Sequence, residues 1–262
     1  MLELYHYPLS TCSQKVRLVL AEKGLVYTPH VVDLASGGQH APDYVKLNPN
    51  HVVPTLIHDG AVLIESALIC EFLEDAFPEP SLLPGRPAER HAARLWAQYF
   101  DRLHAHAGAL TFAIGPRRMI FAQGPAAIEA NVAQMVSEKA RTTRRSVLEQ
   151  GVASPYFLEA LDAFVIALDR MEQALGERTW LGGDTFSLAD TSALPYVLRI
   201  DHLAMTPLIE ARPKLLAWYA RVQGRPSYDA AVGSQLSPMV EFMRASGAEV
   251  WPDIARRLTS LT

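Results

Sequence analysis

The chain has 262 residues, 49% of them hydrophobic and 20% charged, with a formal net charge of −4. This allows a sizeable core in one large or two smaller domains and leaves little room for extended disorder. A negative balance gives no footing for nucleic-acid binding, and two cysteines are too few for a disulfide framework or a thiolate metal cage. No apolar stretch approaches the roughly 18 residues of a membrane-spanning helix, and no secretory signal is visible. The expectation is a soluble cytoplasmic protein with no nucleic-acid or membrane partner, Cys12 and Cys70 staying reduced.

From the N-terminus, Leu2-Glu3-Leu4-Tyr5-His6-Tyr7 alternates like a half-buried strand over 2–6, and Pro8 stops it continuing as a central one. Val16, Val19 and Leu20 recur at helical spacing, predicting a helix over 13–23 with Gly24 at its C-terminus. Tyr27 to Val32 reads as a second strand, with Pro29 suggesting an edge, and Ser36-Gly37-Gly38-Gln39-His40 reads as a loop. A short helix over 42–47 ends near Asn48-Pro49. Residues 52–57 and 61–64, split by His58-Asp59-Gly60, form a hairpin. A helix opening at Glu65-Ser66 runs through Glu74 and stops before Pro78. The order β-α-β-α-β-β-α describes a mixed-sheet α/β module over residues 1–78.

Four prolines between Phe77 and Pro87 mark a linker, taken as 79–88, and an all-α domain is predicted over 89–262. Leu95, Trp96, Tyr99, Phe100 and Leu103 share one face of a long helix. Residues 156–175, 188–200, 213–223 and 227–246 supply further helices. Gly115-Pro116 is expected to break the long helix and open an insertion over about 115–155. The Lys139, Arg141, Arg144 and Arg145 cluster in it reads as a solvated face, a phosphate or carboxylate partner being the other reading.

Chemistry concentrates in the first module. Ser10-Thr11-Cys12-Ser13 stands at a helix N-terminus, where free N–H groups and the dipole favour an anion. A hydroxyl there donates to a thiolate, or Cys12 is itself the thiolate; the plainer role is an N-cap. Val53-Pro54 enters a strand, and a cis bond there would expose the Val53 backbone to a ligand. The first N–H groups of the Glu65-Ser66 helix hold a carboxylate while Glu65 accepts from an ammonium. Gln39, His40 and His51 flank the same region and suit a second carboxylate.

The runs Ser10 to Arg17, Asn48 to Leu56 and Glu65 to Ile69 together resemble the thioredoxin-like domain of cytosolic glutathione transferases. Gly183-Asp184-Thr185-Phe186-Ser187-Leu188-Ala189-Asp190 is similar to that family's structural capping box, Ser187 capping the helix and Asp190 returning the bond. The resemblance implies a thioredoxin-like N-terminal domain with a cis-proline at Pro54, and an all-α C-terminal domain. It implies glutathione as co-substrate, with no metal or redox cofactor. Ser10 is then the serine that hydrogen-bonds the glutathione sulfur, with Cys12 the cysteine-type alternative and Thr11 or Ser13 further ones. Val53 pairs with the cysteinyl unit, Glu65 and Ser66 hold the γ-glutamyl end, and His51, Gln39 or His40 contacts the glycine carboxylate.

Within the family, the run Ile64 to Asp75 together with the basic insertion resembles bacterial β-etherase-type transferases, and the Ser10 to Ser13 quartet with the Gly-Gly-Gln loop equally resembles the maleylacetoacetate isomerase class. A hydrophobic, aromatic electrophile is the expected second substrate of a detoxifying homodimer, with Phe112, Met119 and Tyr156 as pocket residues. The alternative is a glutathione-binding or interaction protein without catalysis. Members of that kind usually carry a terminal apolar anchor, and the tail from Val240 to Thr262 has none.

Overall fold

Strand β1 (Leu2–His6) buries Leu2, Leu4 and His6 and leaves Glu3 and Tyr5 partly exposed, the expected alternation. Helix α1 (Thr11–Glu22) follows. Gly24, at φ +63°, closes it, and Leu25 N–H reaches back to Leu20 O at 2.9 Å, a left-handed turn that glycine takes without steric cost. Strand β2 (Thr28–Val31) lies parallel to β1 at the sheet edge, where the missing N–H of Pro29 is tolerated. A 3-10 turn over Gly38–His40 and helix α2 (Pro42–Leu47) lead to the hairpin of β3 (Thr55–His58) and β4 (Ala61–Leu63). Its two-residue loop, Asp59-Gly60, has φ +48° and +85°, the double positive of a type I′ turn. Helix α3 (Ser66–Ala76) packs beside α1. The sheet order is β2-β1-β3-β4, with β3 antiparallel to both neighbours, and Val53–Pro54 is cis. This is the thioredoxin-like module expected from the sequence.

The proline-rich stretch after α3 carries a second cis bond, Glu79–Pro80, which the sequence reading did not anticipate. It is gripped by a buried ion pair. Lys23 Nζ lies 2.6 Å from Glu74 Oε2 and donates to the carbonyls of Phe77 and Pro80 at 2.7 and 2.9 Å. Glu74 in turn accepts from Ser81 Oγ and from Leu82 N–H. A buried charge pair needs such extra partners to offset its desolvation.

Beyond it the chain is helical: α4 (Pro87–Ala122), α5 (Pro125–Ala133), α6 (Glu138–Gln150), α7 (Pro155–Leu175), α8 (Leu188–His202), α9 (Pro207–Glu210), α10 (Pro213–Gln223), α11 (Pro226–Ala231) and α12 (Pro238–Thr259). The structure, a computed structural model, describes residues 1–235 and 237–259. Residues 236 and 260–262, which fall within the expected helical domain and the tail from Val240, lie outside the described residues. Contacts divide the chain into two units. One comprises Met1–Asp101, Glu177–Pro195 and Ala217–Leu236, the other Arg102–Gly176, Tyr196–Leu216 and Ser237–Thr262. Among the described residues no single helix is long and apolar enough to cross a membrane.

Three expectations are corrected. Gly115-Pro116 does not break α4, which runs on to Ala122. The buried Leu110, Ala113 and Ile114 hold that stretch, and Gly115 makes room for Met243, whose Cγ would lie 2.8 Å from an added Cβ. Packing outweighs one missing N–H. The helix expected over 227–246 is two, α11 and α12, separated at Gly233 and restarted by Pro238 in its first turn. Arg144 does not face water as its neighbours do. Its guanidinium stacks 3.2 Å from the Phe112 ring centroid and donates to Asn131 Oδ1, whereas Arg141 and Arg145 pair with Glu138 and Glu129.

The expected capping box is present and more extensive than its two members. Asp190 accepts from Ser187 N–H and Oγ, from Leu181 N–H, and from Trp218 Nε1 at 2.8 Å. Burial pushes its carboxyl up to about 6, against the pull of these donors. In the other unit His202 is 1% exposed, and neither ring nitrogen has a hydrogen-bond partner among the described residues. Burial, reinforced by Arg199 and Arg244, pushes its pKa down to about 3. A histidine kept neutral in this way contributes stability above its unfolded pKa near 6.5, and that contribution fades as pH falls toward the folded value. Between pH 6.5 and 4.5 the urea unfolding free energy is expected to drop by about 2 kcal/mol more in the wild type than in His202→Leu. Parallel pH profiles for the two proteins would refute this.

Candidate functional site

The four polar residues opening α1 have separate roles. Ser10 is the N-cap, extended at φ −69° and ψ 123°, and its Oγ accepts from Ser13 N–H at 3.2 Å. Its own O–H remains able to donate. Thr11 is buried, and Cys12 is half-buried in the first turn. Ser13 is fully buried and its Oγ accepts from Tyr7 N–H at 3.3 Å, so that hydroxyl supports the preceding turn. Cys70, the other thiol, lies in the core, where burial pushes its pKa up to about 12.

The turn Tyr7-Pro8-Leu9-Ser10 is held from beneath by α1. Arg17 donates to Pro8 O at 2.8 Å, Tyr7 O at 3.3 Å and Ala231 O at 2.8 Å, and its Nη1 lies 3.1 Å from His6 Nδ1. Gln14 adds a longer bond to Pro8 O at 3.4 Å. Burial, with Arg17 the next cause, pushes the His6 imidazole down to about 4, so it is neutral across the physiological range.

A second segment, 52–55, is fixed from behind by residues the sequence reading missed. Tyr44 Oη donates to Val52 O at 2.6 Å, and Asn48 Nδ2 donates to the same oxygen at 2.9 Å. Both side chains also bond Thr55 Oγ1, and Tyr44, Asn48 and Thr55 are all buried. The Val53–Pro54 peptide is therefore placed by its flanks. In the sequence, Asn48 marks the end of α2 and opens the run to Leu56, without showing this supporting role.

The third segment joins the loop after α2 to the N-terminus of α3. Glu65 caps α3 at φ +68°, a left-handed conformation unfavourable for its side chain, and its carboxylate accepts from Asn50 Nδ2 at 3.0 Å. Ser66 is the first helical residue and is buried, and no acidic side chain occupies that first turn. His51, at φ +55°, brings its Nδ1 to 3.1 Å from His40 Nδ1, while Gln39 Nε2 is 3.0 Å from His40 Nε2. The structure thus links Gln39, His40 and His51 in one chain of contacts, and joins Glu65 to the loop holding His51. The expected pocket residues have different settings. Phe112 packs with Ile128, Val132 and Leu148 and lies under Arg144. Met119 is 43% exposed on α4, and Tyr156 is half-buried in the first turn of α7.

Comparison with known proteins matches residues 4–81 to the glutathione S-transferase N-terminal domain and residues 125–221 to the glutathione S-transferase C-terminal domain. The tetrachloro-p-hydroquinone reductive dehalogenase of Sphingobium chlorophenolicum is 30% identical, over 87% of this chain and 94% of its own length. The chain belongs to the glutathione S-transferase superfamily. Protein LigF of Sphingobium sp. is 28% identical over 86% of this chain and 91% of its own. The crystal structure of the β-etherase LigF from strain SYK-6 superposes with a TM-score of 0.77 at 27% identity, covering 88% of this chain and 98% of that one. As a family member the protein is a glutathione transferase with glutathione as co-substrate. The second family match opens at residue 125, inside the 115–155 segment set apart as an insertion.

These roles separate Ser13 from Ser10. Ser13→Ala leaves the Tyr7 N–H without its side-chain acceptor and is expected to destabilise the fold by about 1–2 kcal/mol, read by chemical denaturation. Its kcat/KM per folded molecule is expected to stay within about twofold. A loss of tenfold or more at unchanged stability would give Ser13 a direct part in the reaction.

Proposed function

We propose that this transferase activates the glutathione thiol through Ser10 for attack on a hydrophobic aromatic electrophile, displacing an aryloxide or a halide. The observation that carries the reading is the Ser10 hydroxyl, which accepts from Ser13 N–H and so can direct its proton outward at a helix N-terminus. A free thiol has a pKa near 8.5, and lowering it by about two units takes roughly 2.7 kcal/mol of preference for the anion. A charge-assisted hydrogen bond and a helix N-terminus together supply energy of that order.

The remaining roles follow the tripeptide. Val53, beside cis-Pro54, pairs through its backbone with the cysteinyl unit. Glu65 and Ser66 receive the γ-glutamyl ammonium and carboxylate, and His51, oriented by His40 and Gln39, receives the glycine carboxylate. The names of the relatives, a reductive dehalogenase of a chlorinated hydroquinone and a β-etherase, support an aromatic second substrate. Met119 and Tyr156 are the pocket residues favoured for it, because Phe112 is engaged in packing. Within this reading residues 1–78 form the glutathione-binding domain, 79–88 the linker and the rest the helical domain. The exposed Leu68 and Leu95, flanking the Glu71–Arg94 pair, support a homodimer, and two free cysteines support a cytoplasmic location.

Turnover of aryl ethers, haloaromatics and a cis-enone acid by wild type, Ser10→Ala and Cys12→Ala tests this reading. Loss of about 10²-fold in kcat/KM is expected for Ser10→Ala and little change for Cys12→Ala. The reverse pattern assigns the sulfur to Cys12. Absence of glutathione binding at millimolar concentration would remove the catalytic reading, and turnover of the enone acid alone would make the enzyme an isomerase.

A further inference from the structure

The Arg17 guanidinium is only 1% exposed, and each partner it has among the described residues is neutral. Three are the carbonyls of Tyr7, Pro8 and Ala231, and the fourth is the His6 ring. The titratable groups facing it are His6 from β1 and Tyr27 from the segment after α1. Burial keeps both uncharged at neutral pH, lowering the first and raising the second. From α11 it takes the Ala231 carbonyl. The cation is therefore buried without a counter-charge, an arrangement that folding alone disfavours.

Its position gives that charge a use. The Tyr7 carbonyl oxygen accepts from Arg17 Nη1 at 3.3 Å and from Ser10 N–H at 3.1 Å, so one atom separates the guanidinium from the Ser10 backbone. The negative ends of the Tyr7 and Pro8 carbonyls are held on the guanidinium, and the turn carrying Ser10 takes its shape from that grip. We propose that Arg17 is a positioning residue that favours the thiolate of bound glutathione, by fixing the Tyr7–Ser10 turn and by placing an uncompensated positive charge behind it. The inference rests on the reading of Ser10 as the sulfur partner. At an effective dielectric of about 20, a unit charge some 8–10 Å away moves an ionisation by roughly one pH unit.

The test is the ionisation of enzyme-bound glutathione, followed by the ultraviolet absorbance of the thiolate across pH, beside calorimetric binding of S-methylglutathione, which has no thiol proton. Arg17→Lys keeps the charge but not the planar fork, and is expected to weaken thiol ionisation by about threefold. Arg17→Met removes the charge and is expected to weaken ionisation by about tenfold, while S-methylglutathione affinity changes less than about threefold. Where Arg17→Met does not fold, His6 decides. His6→Asp places a carboxylate beside Nη1 and neutralises the cation in place, with the same tenfold loss expected, whereas the isosteric His6→Asn leaves ionisation unchanged. Equal thiol ionisation in His6→Asp and His6→Asn, with S-methylglutathione still bound, overturns the role of Arg17 and leaves the glutathione site standing. A wild-type protein that binds neither glutathione nor S-methylglutathione overturns both.

Discussion

A guanidinium buried beneath a turn sets the geometry of this module. Arg17 spans the carbonyls of Tyr7, Pro8 and Ala231, and thereby ties the end of β1, the start of α1 and α11 to one rigid planar group. A lysine has no fixed fork with which to satisfy three acceptors in different directions. The turn it holds is the one in which the chain leaves the sheet for the N-terminus of α1. Ser13 and Gln14 extend the same grip from the preceding turn of α1.

The other two segments of the candidate site follow a common plan, in which the backbone is held by side chains behind it. Tyr44 and Asn48 share the Val52 carbonyl and the Thr55 hydroxyl, so the peptide around cis-Pro54 is set before anything binds. Asn50 restrains the Glu65 carboxylate, and His40 restrains His51. Glu65 and His51 both sit at positive φ, and each is restrained by a neighbour through its side chain. Strain at such positions persists only where the surroundings over-determine it.

The candidate site residues were legible in the sequence because their chemistry is local. A hydroxyl run before an apolar helix, a proline at a strand entry and a Glu-Ser helix start each announce themselves within a few residues. The supports were not legible, because Arg17 to Ala231 and Lys23 to Pro80 are pairings made by folding. Sequence logic failed where packing overrode a local rule. Pro116 sits inside α4 because the buried residues around it outweigh one lost hydrogen bond, and Arg144 turns inward because the face of Phe112 and the Asn131 amide receive it. In the opposite sense, Gly233 and Pro238 mark in the sequence the break between α11 and α12.

The grip of Lys23 and Glu74 on residues 77–82 changes what the proline-rich stretch is as a dynamic object. By composition it reads as slack chain between elements. Yet the carbonyls of Phe77 and Pro80 and the N–H of Leu82 are bound to a buried ion pair, while the Leu82 carbonyl accepts from Leu188 N–H. Local opening of this stretch would strand a desolvated lysine and carboxylate, so it opens only when α1 and α3 open with it. The stretch is therefore tied to α1 and α3, and it acts as a splint rather than a hinge.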